Sequence, residues 1–134
     1  MAIRPIASPI EIAVSGLRAE ATRMNIIAAN IANAHTTAAN GQPYRRQEVV
    51  ASSKAGEYRG VTQVTVAPDF VSQFKNMHDP GHPAADKNGN VLMPNVDLPT
   101  EMIHMVTASR AYQANAVVLK RFQDLGDITL ELLK

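Results

Sequence analysis

The sequence predicts a mainly α-helical fold with a small β insert, in which a long helix at each end of the chain flanks short central strands. Two observations predict it. Apolar residues recur at alternating four- and three-residue steps in both terminal regions, and the middle of the chain alternates β-branched and polar residues between turn signals. The four–three step is the heptad pattern by which helices pack along one another. We therefore expect the terminal helices to pack as an antiparallel or coiled-coil pair around a loop-rich, short-stranded insert.

The N-terminal helix is expected to begin at Pro9 and to continue to about Asn33. Ser8 and Glu11 have the spacing of a capping box, and proline suits the first helical position. Gly16 lies inside the helix at a cost of about 1 kcal/mol relative to alanine. We interpret it as a point of close approach by a second helix rather than a tolerated defect. The heptad seam of this helix comprises Ile10, Val14, Leu17, Ala21, Met24, Ala28 and Ile31.

The C-terminal helix is expected to begin after Asp97, which can cap it, with Pro99 and Glu101 in the first turn. It should reach at least Gln123, and Gly126 is expected to interrupt it. Its seam comprises Leu98, Met102, Met105, Ser109, Tyr112, Ala116, Leu119 and Gln123.

The central segment predicts short strands over 47–51 and 61–66, with Pro68 ending the second, and a weaker third strand over 70–74. Asn88–Gly89 marks a tight turn before 91–93. The chain is thereby divided into an N-terminal assembly helix (1–35), a small β and loop insert (36–96) and a C-terminal assembly helix (97–134).

Composition excludes several classes of function. The chain has no cysteine, so disulfides and thiolate metal sites are ruled out. A net charge of +1 and 4% aromatic residues give no case for nucleic-acid binding. No apolar run approaches the roughly 20 residues that span a bilayer, so membrane insertion is not expected. The first residues also lack the apolar stretch of a cleaved secretory signal.

No constellation of residues indicates catalysis, and we expect no enzyme activity, cofactor, metal or small-molecule substrate. Glu101 and His104 have the spacing of a di-iron ligand pair, but such a site needs that pair twice. His104 is therefore interpreted as a helix-surface or subunit-interface residue. Arg45 and Arg46 are interpreted as charges that keep a strand edge soluble.

Three asparagines in the N-terminal helix, Asn25, Asn30 and Asn33, have two interpretations that periodicity alone does not separate. In an isolated helix they would be exposed. In a packed array of helices, their amides would form hydrogen bonds that fix the register.

Particular motifs do resemble a known family. Residues 14–19 (Val-Ser-Gly-Leu-Arg-Ala) and 30–34 (Asn-Ile-Ala-Asn-Ala) resemble the N-terminal signature of bacterial flagellar rod and hook proteins, the flagellar axial family. Further collinear matches narrow the resemblance to proximal rod members of that family. They lie at 36–46, 79–84, 93–96 and 102–115.

The resemblance implies a structural subunit of the flagellar basal-body proximal rod. Such a subunit polymerises through its terminal helices into the tubular drive shaft that carries motor torque to the hook. It implies a periplasmic location in the basal body, reached through the flagellar type III export apparatus without a cleaved signal. The implied partners are copies of the chain itself, other rod proteins and the rod base near the export gate. The alternative is a soluble helical-hairpin adaptor that binds a single partner through its heptad seam.

The residues expected to carry helix packing and assembly are seam residues together with Gly16 and three amides. They are Ile10, Val14, Gly16, Leu17, Ala21, Met24, Asn30, Ile31, Asn33, Met102, Met105, Ser109, Tyr112, Asn115, Ala116 and Leu119.

Overall fold

The described residues form two long helices with short antiparallel strands between them, which confirms the predicted fold class. A computed structural model describes residues 7–37, 42–53 and 60–133. The elements are helix α1 (Pro9–Ala32), strands β1 (Gln47–Ser53), β2 (Thr62–Pro68), β3 (Lys75–His78) and β4 (Asn90–Met93), and helix α2 (Leu98–Leu132).

Both helices begin at the predicted caps. The Ser8 hydroxyl accepts a hydrogen bond from the Glu11 backbone N–H at 3.2 Å, and the Glu11 carboxylate accepts one from the Ser8 N–H at 2.8 Å. These bonds to Ser8 lower the pKa of Glu11. At α2, Asp97 accepts from the Thr100 N–H at 3.3 Å. Helix α1 ends at Ala32 with Asn33 as its C-cap, so the predicted extent of α1 is confirmed.

The prediction that Gly126 interrupts the second helix is wrong. Helix α2 runs for 35 residues, about 52 Å at 1.5 Å per residue, and passes through Gly126 without a break. A Cβ on this glycine would meet no atom within 4 Å, so nothing packs against it. Its helix cost of about 1 kcal/mol is a small penalty within a helix of 35 residues. Residues 121–133 are all exposed, and we call them the α2 extension.

The strands form two separate antiparallel ribbons. Strand β1 pairs with β2 with Gln47 opposite Pro68, and β3 pairs with β4 with Lys75 opposite Met93. The first two predicted strands and the turn at Asn88–Gly89 are confirmed, and Gly89 has a φ of 76°. This left-handed conformation favours glycine.

The predicted strand over 70–74 is wrong. One carboxylate oxygen of Asp69 accepts the backbone N–H groups of both Val71 and Ser72 at 2.9 Å. This Asx-type turn uses the N–H groups that a strand ladder would need. The third strand therefore begins later, at Lys75.

The helices pack antiparallel, which confirms the predicted pairing. Gly16 of α1 lies beside Asn115 of α2, and Asn30, fourteen residues further along α1, contacts Glu101, fourteen residues earlier on α2. The β1–β2 ribbon lies along α1. At one end Asn30 bonds Gln47, and at the other the Thr62 N–H donates to the Ser15 hydroxyl at 3.1 Å.

The core of the described residues is thin. Its buried apolar residues are mostly alanines, with few large side chains: Ala7, Ala13, Ala19, Ile27, Ala34, Val91, Val96 and Ala108. Burial of an alanine removes little apolar area from water, so this core stabilises the fold weakly. Within the described ranges, neither helix has the length and hydropathy to cross a bilayer.

Candidate assembly site

The two helices approach most closely at Gly16. A Cβ built on this glycine would lie 2.8 Å from Nδ2 and 3.2 Å from Cγ of Asn115. Any larger side chain would therefore have to displace the Asn115 amide. The predicted close helix–helix approach at Gly16 is confirmed, and its role in assembly remains a prediction.

Replacement of Gly16 by leucine is expected to lower the free energy of unfolding by about 1–3 kcal/mol, because overpacking forces the helices apart. Gly16→Ala is the matched control. Its clash is with the end of a flexible side chain, and the gain of about 1 kcal/mol in helix propensity offsets it. Urea unfolding followed by circular dichroism measures both. Equal stability of the two variants would contradict a close crossing.

The predicted seam residues lie beside the intramolecular contact rather than at its centre. The fully buried residues of α1 are Ala13, Ser15, Ala19, Ile27 and Asn30, of which only Asn30 was among the expected assembly residues. Half-buried seam residues are Val14, Leu17, Ala21, Met24, Ile31, Leu98, Met105, Ser109, Ala116 and Leu119, and exposed ones are Ile10, Ala28, Met102, Tyr112 and Gln123. Much of both seams is thus still open to a further partner.

The amide of Asn30 joins α1 to the β insert. Its Oδ1 accepts the Gln47 N–H at 2.9 Å, and its Nδ2 donates to the Gln47 carbonyl at 2.9 Å. The side-chain amide thus bonds both backbone groups of Gln47, as the backbone of a neighbouring strand would. The Tyr44 hydroxyl also donates to Oδ1 at 3.0 Å. Burial, followed by the charge of Glu101, raises the pKa of Tyr44. Of the two interpretations of the asparagines, the hydrogen-bonding one holds for this residue.

The other two asparagines differ. Asn25 is exposed, and Asn33 is half-buried at the C-terminus of α1, where its side-chain amide donates to the Ala29 carbonyl at 2.8 Å. Asn33 therefore adds a second hydrogen bond to a carbonyl of its own helix that already accepts the Asn33 backbone N–H, while of the three asparagines only Asn30 connects different elements.

Arg46 lies at the centre of a polar cluster, so its interpretation as a solubilising strand-edge charge is wrong. Its Nε donates to Glu101 at 2.7 Å, and its Nη1 pairs with Glu48 and lies 3.5 Å from Asp69. Glu101 is only 1% exposed. Burial disfavours the charged guanidinium, but the bonds to Glu101 and Glu48 outweigh this and raise the pKa of Arg46.

Arg45 has a different role from its neighbour. Its guanidinium carbon lies 5.0 Å from the ring centroid of Phe70 and 4.2 Å from that of Phe74. Its Nη1 donates to the Asp69 carbonyl at 2.8 Å. The solubility interpretation is wrong here as well, because the cation stacks on the loop after β2.

Sequence reasoning missed two residues that hold this loop, Asp69 and Asn95. The Asn95 amide donates to the carbonyls of Asp69 and Ser72, and its oxygen accepts the Arg46 N–H at 2.8 Å. Hydrogen bonds from Ser72 lower the pKa of Asp69. The signal available in the sequence was an aspartate directly after the strand-ending Pro68, a typical start for an Asx turn.

His104 lies on the surface of α2, with Nδ1 3.7 Å from Glu101. Glu101 is already engaged by Arg46 and Asn30. In the described part of the chain, no group of three or more metal-type side chains comes together. Glu101 is thus part of the Arg46 cluster, with His104 at its edge.

Helix α2 carries exposed apolar side chains along most of its length. They are Met102, Ile103, Val106, Tyr112, Val117, Val118, Phe122, Leu125, Ile128, Leu130 and Leu132, and the exposed Leu133 follows as the C-cap. Such an extended apolar surface indicates a site of protein–protein contact.

Comparison with known families gives two matches, one at each helix. A family described as "Flagella basal body rod protein" matches residues 10–39. A second, described as "Flagellar basal body rod FlgEFG protein C-terminal", matches residues 87–132. The two matched regions contain α1 from Ile10 onward and all of α2.

Curated relatives match over almost the whole length. The flagellar basal-body rod protein FlgC of Agrobacterium fabrum is 42% identical over 134 residues, covering 97% of this chain and 96% of that protein. FlgC of Salmonella typhimurium is 43% identical over 125 residues, with 91% and 93% covered. FlgC of Aquifex aeolicus is 31% identical over 135 residues, with 96% and 98% covered.

Proposed function

The chain belongs to the FlgC family of flagellar basal-body rod proteins, and we propose that it builds the rod by packing its terminal helices against those of neighbouring subunits. It is a structural subunit of the basal body and associates with other rod components. In this proposal the helical parts, 1–35 and 97–134, form the assembly core, and the insert (36–96) contacts outer neighbours.

The observation that carries the proposal is the row of apolar side chains exposed on α2. Helix α1 has 24 residues and α2 has 35, so α1 cannot cover the longer helix along its whole length. The α2 extension contains Phe122, Leu125 and Ile128, all exposed. Heterologous contacts that do not close into a ring generate helical assemblies, which is the geometry of a tube. Burial between subunits would remove this surface from water.

The proposal also includes the finer features that the family resemblance implies. The chain acts without catalysis, passes through the flagellar type III export apparatus and lies in the periplasmic part of the rod. There it contacts copies of itself, other rod proteins and the rod base near the export gate, and the tube transmits motor torque to the hook. A non-catalytic role is supported by the buried carboxylates, since Glu101 and Asp69 are both engaged in bonds that join structural elements.

Cryo-electron microscopy of purified basal bodies tests the proposal. We expect density for the antiparallel α1–α2 pair in the wall of the proximal rod, with the α2 extension against a neighbouring subunit. Basal bodies from a strain lacking this chain should have no complete rod. An intact rod in that strain would overturn the proposal. A soluble complex of fixed stoichiometry with one partner, and no rod density, would instead support the adaptor.

A further inference from the structure

The segment between β3 and β4 ends in Asn88 followed directly by Gly89, a pair with its own covalent chemistry. Asparagine is one of the thermally labile residues of proteins. The backbone nitrogen of the next residue attacks the side-chain carbon Cγ, and a glycine there leaves that nitrogen unhindered because it has no side chain. Asn88 is exposed, so water reaches the pair. The conformation of the turn then decides whether the pair reacts.

The reaction is a deamidation, and it needs only water and a base. A base takes the proton of the Gly89 backbone N–H, and the nitrogen forms a bond to Cγ of Asn88. The bond from Cγ to Nδ2 then breaks, and Nδ2 takes up a proton and leaves as ammonia. The five-membered succinimide ring adds one water molecule and opens. Opening at one carbonyl gives aspartate, and opening at the other gives isoaspartate, in which the main chain runs through the former side chain.

In the folded chain the attacking nitrogen is already engaged. The Gly89 N–H donates to the Asp86 carbonyl at 3.0 Å, which closes a tight turn over residues 86–89. One carboxylate oxygen of Asp86 also accepts the N–H groups of Asn88 and Asn90, both at 2.8 Å. The Gly89 N–H must give up its hydrogen bond before a base can remove its proton, so the folded turn opposes the first step.

Further bonds hold this turn closed. The Gly89 carbonyl accepts the Asp79 N–H at 2.9 Å, and the Asp86 N–H donates to the Asn90 carbonyl at 2.8 Å. Val91, the next residue of β4, is only 1% exposed and fixes the strand to the core. Rotation of the peptide group before Gly89 toward the asparagine side chain would break several of these bonds together. The reactive geometry therefore requires the turn to open.

We propose that Asn88 is a deamidation site under conformational control. The folded turn between β3 and β4 protects it, and a chain in which this turn is open converts Asn88 to aspartate or isoaspartate. Because the change is covalent, it records the time that a chain has spent open. The inference goes beyond the proposed function and does not depend on it.

The products fit the turn less well than asparagine does. Isoaspartate adds one carbon to the main chain between residues 88 and 89, which moves the Gly89 N–H away from the Asp86 carbonyl. Either product also places a second carboxylate close to that of Asp86, and like charges repel. A chain modified while open should therefore close this turn less readily afterwards.

Peptide mapping by mass spectrometry tests the proposal on the purified full chain. The chain is incubated in mildly alkaline native buffer and, in parallel, in guanidinium chloride, and conversion at residue 88 is followed with time. The reaction needs the locally open state, so conversion in the folded chain should be slower by on the order of tenfold or more. Fragmentation spectra distinguish aspartate from isoaspartate and assign the change to Asn88.

Two variants locate the source of the protection. Asp86→Ala removes the carboxylate that accepts two N–H groups of the turn, so it should raise the conversion rate of Asn88 several-fold in native buffer. Lys87→Ala is the matched control, because Lys87 is an exposed neighbour whose side chain forms no hydrogen bond or ion pair among the described contacts. It should convert at the wild-type rate. In guanidinium chloride all three chains should convert at similar rates, since Gly89 is unchanged.

Hydrogen exchange at the Gly89 amide supplies a measurement that needs no variant and holds even if Asp86→Ala fails to fold. Its protection should match the protection of Asn88 within a few-fold, because both require the same opening. An amide that exchanges as fast as in the unfolded chain would overturn the proposal. So would equal conversion rates in native buffer and in guanidinium chloride, or a folded Asp86→Ala chain with wild-type protection. An unfolded chain that shows no conversion at residue 88 would overturn the site itself.

Discussion

Replacement of Arg46 by methionine is expected to lower the free energy of unfolding by about 3–5 kcal/mol, the range measured when one partner of a buried ion pair is removed. Methionine retains an apolar side chain of similar length, so packing changes little. The fall in the free energy of unfolding therefore measures the loss of the guanidinium charge. Without the guanidinium, Glu101 is left buried with Asn30 as its remaining hydrogen-bond donor among the bonds described. Glu48 and Asp69 lose the same cation. Urea unfolding of the purified subunit measures the change.

The adjacent arginine is the matched control. Arg45→Met makes the same substitution one residue earlier, where the guanidinium stacks on Phe70 and Phe74 and no carboxylate depends on it in the described contacts. The cation–π contacts and the hydrogen bond to the Asp69 carbonyl each contribute about 0.5–1.5 kcal/mol, so this variant should lose about 1–2 kcal/mol, clearly less than Arg46→Met. Equal losses in the two variants would show that the Arg46 cluster does not hold the insert against the helices.

The features that local sequence determines could be predicted. The caps at Ser8 and Asp97 and the alternation in β2 depend on neighbours within a few residues, and the structure confirms them. Gly16 was predicted correctly as a close crossing because nearby alanines such as Ala19 and Ala21 keep the helix surface shallow and let a second helix approach. Turn chemistry at Asn88–Gly89 is equally local.

The features that failed depend on distant parts of the chain. Arg46 and Glu101 are 55 residues apart, and no local pattern indicates that they meet. Likewise, the loop after Pro68 takes its conformation partly from Asn95, 26 residues beyond Asp69. Gly126 was overestimated as a helix breaker because its cost is small within a long helix. The assembly roles of the seam residues involve other chains, so they remain predictions.

Replacement of Ile128 by aspartate is expected to abolish swimming while leaving the free subunit as stable as the wild type. Ile128 is 53% exposed in the α2 extension, and exposed positions of this kind tolerate substitution within about 0.5 kcal/mol. In the rod, however, the proposal buries this surface against a neighbour. An unpaired carboxylate there costs several kcal/mol, and each 1.4 kcal/mol weakens an association tenfold. The penalty recurs at every subunit of this kind that joins the rod. Motility in soft agar and urea unfolding of the purified chain measure the two effects separately.

The comparison with Gln113→Asp makes the test specific, because it places the same carboxylate at an exposed polar position of the same helix. That variant should swim normally, since the apolar row does not include Gln113. Immunoblots must show both variants at wild-type levels, so that loss of motility is not loss of protein. An Ile128→Asp strain that swims would mean that the α2 extension is not buried in the rod. Because this exposed row is the observation on which helix-driven assembly depends, that result would move the assembly contact to the insert (36–96).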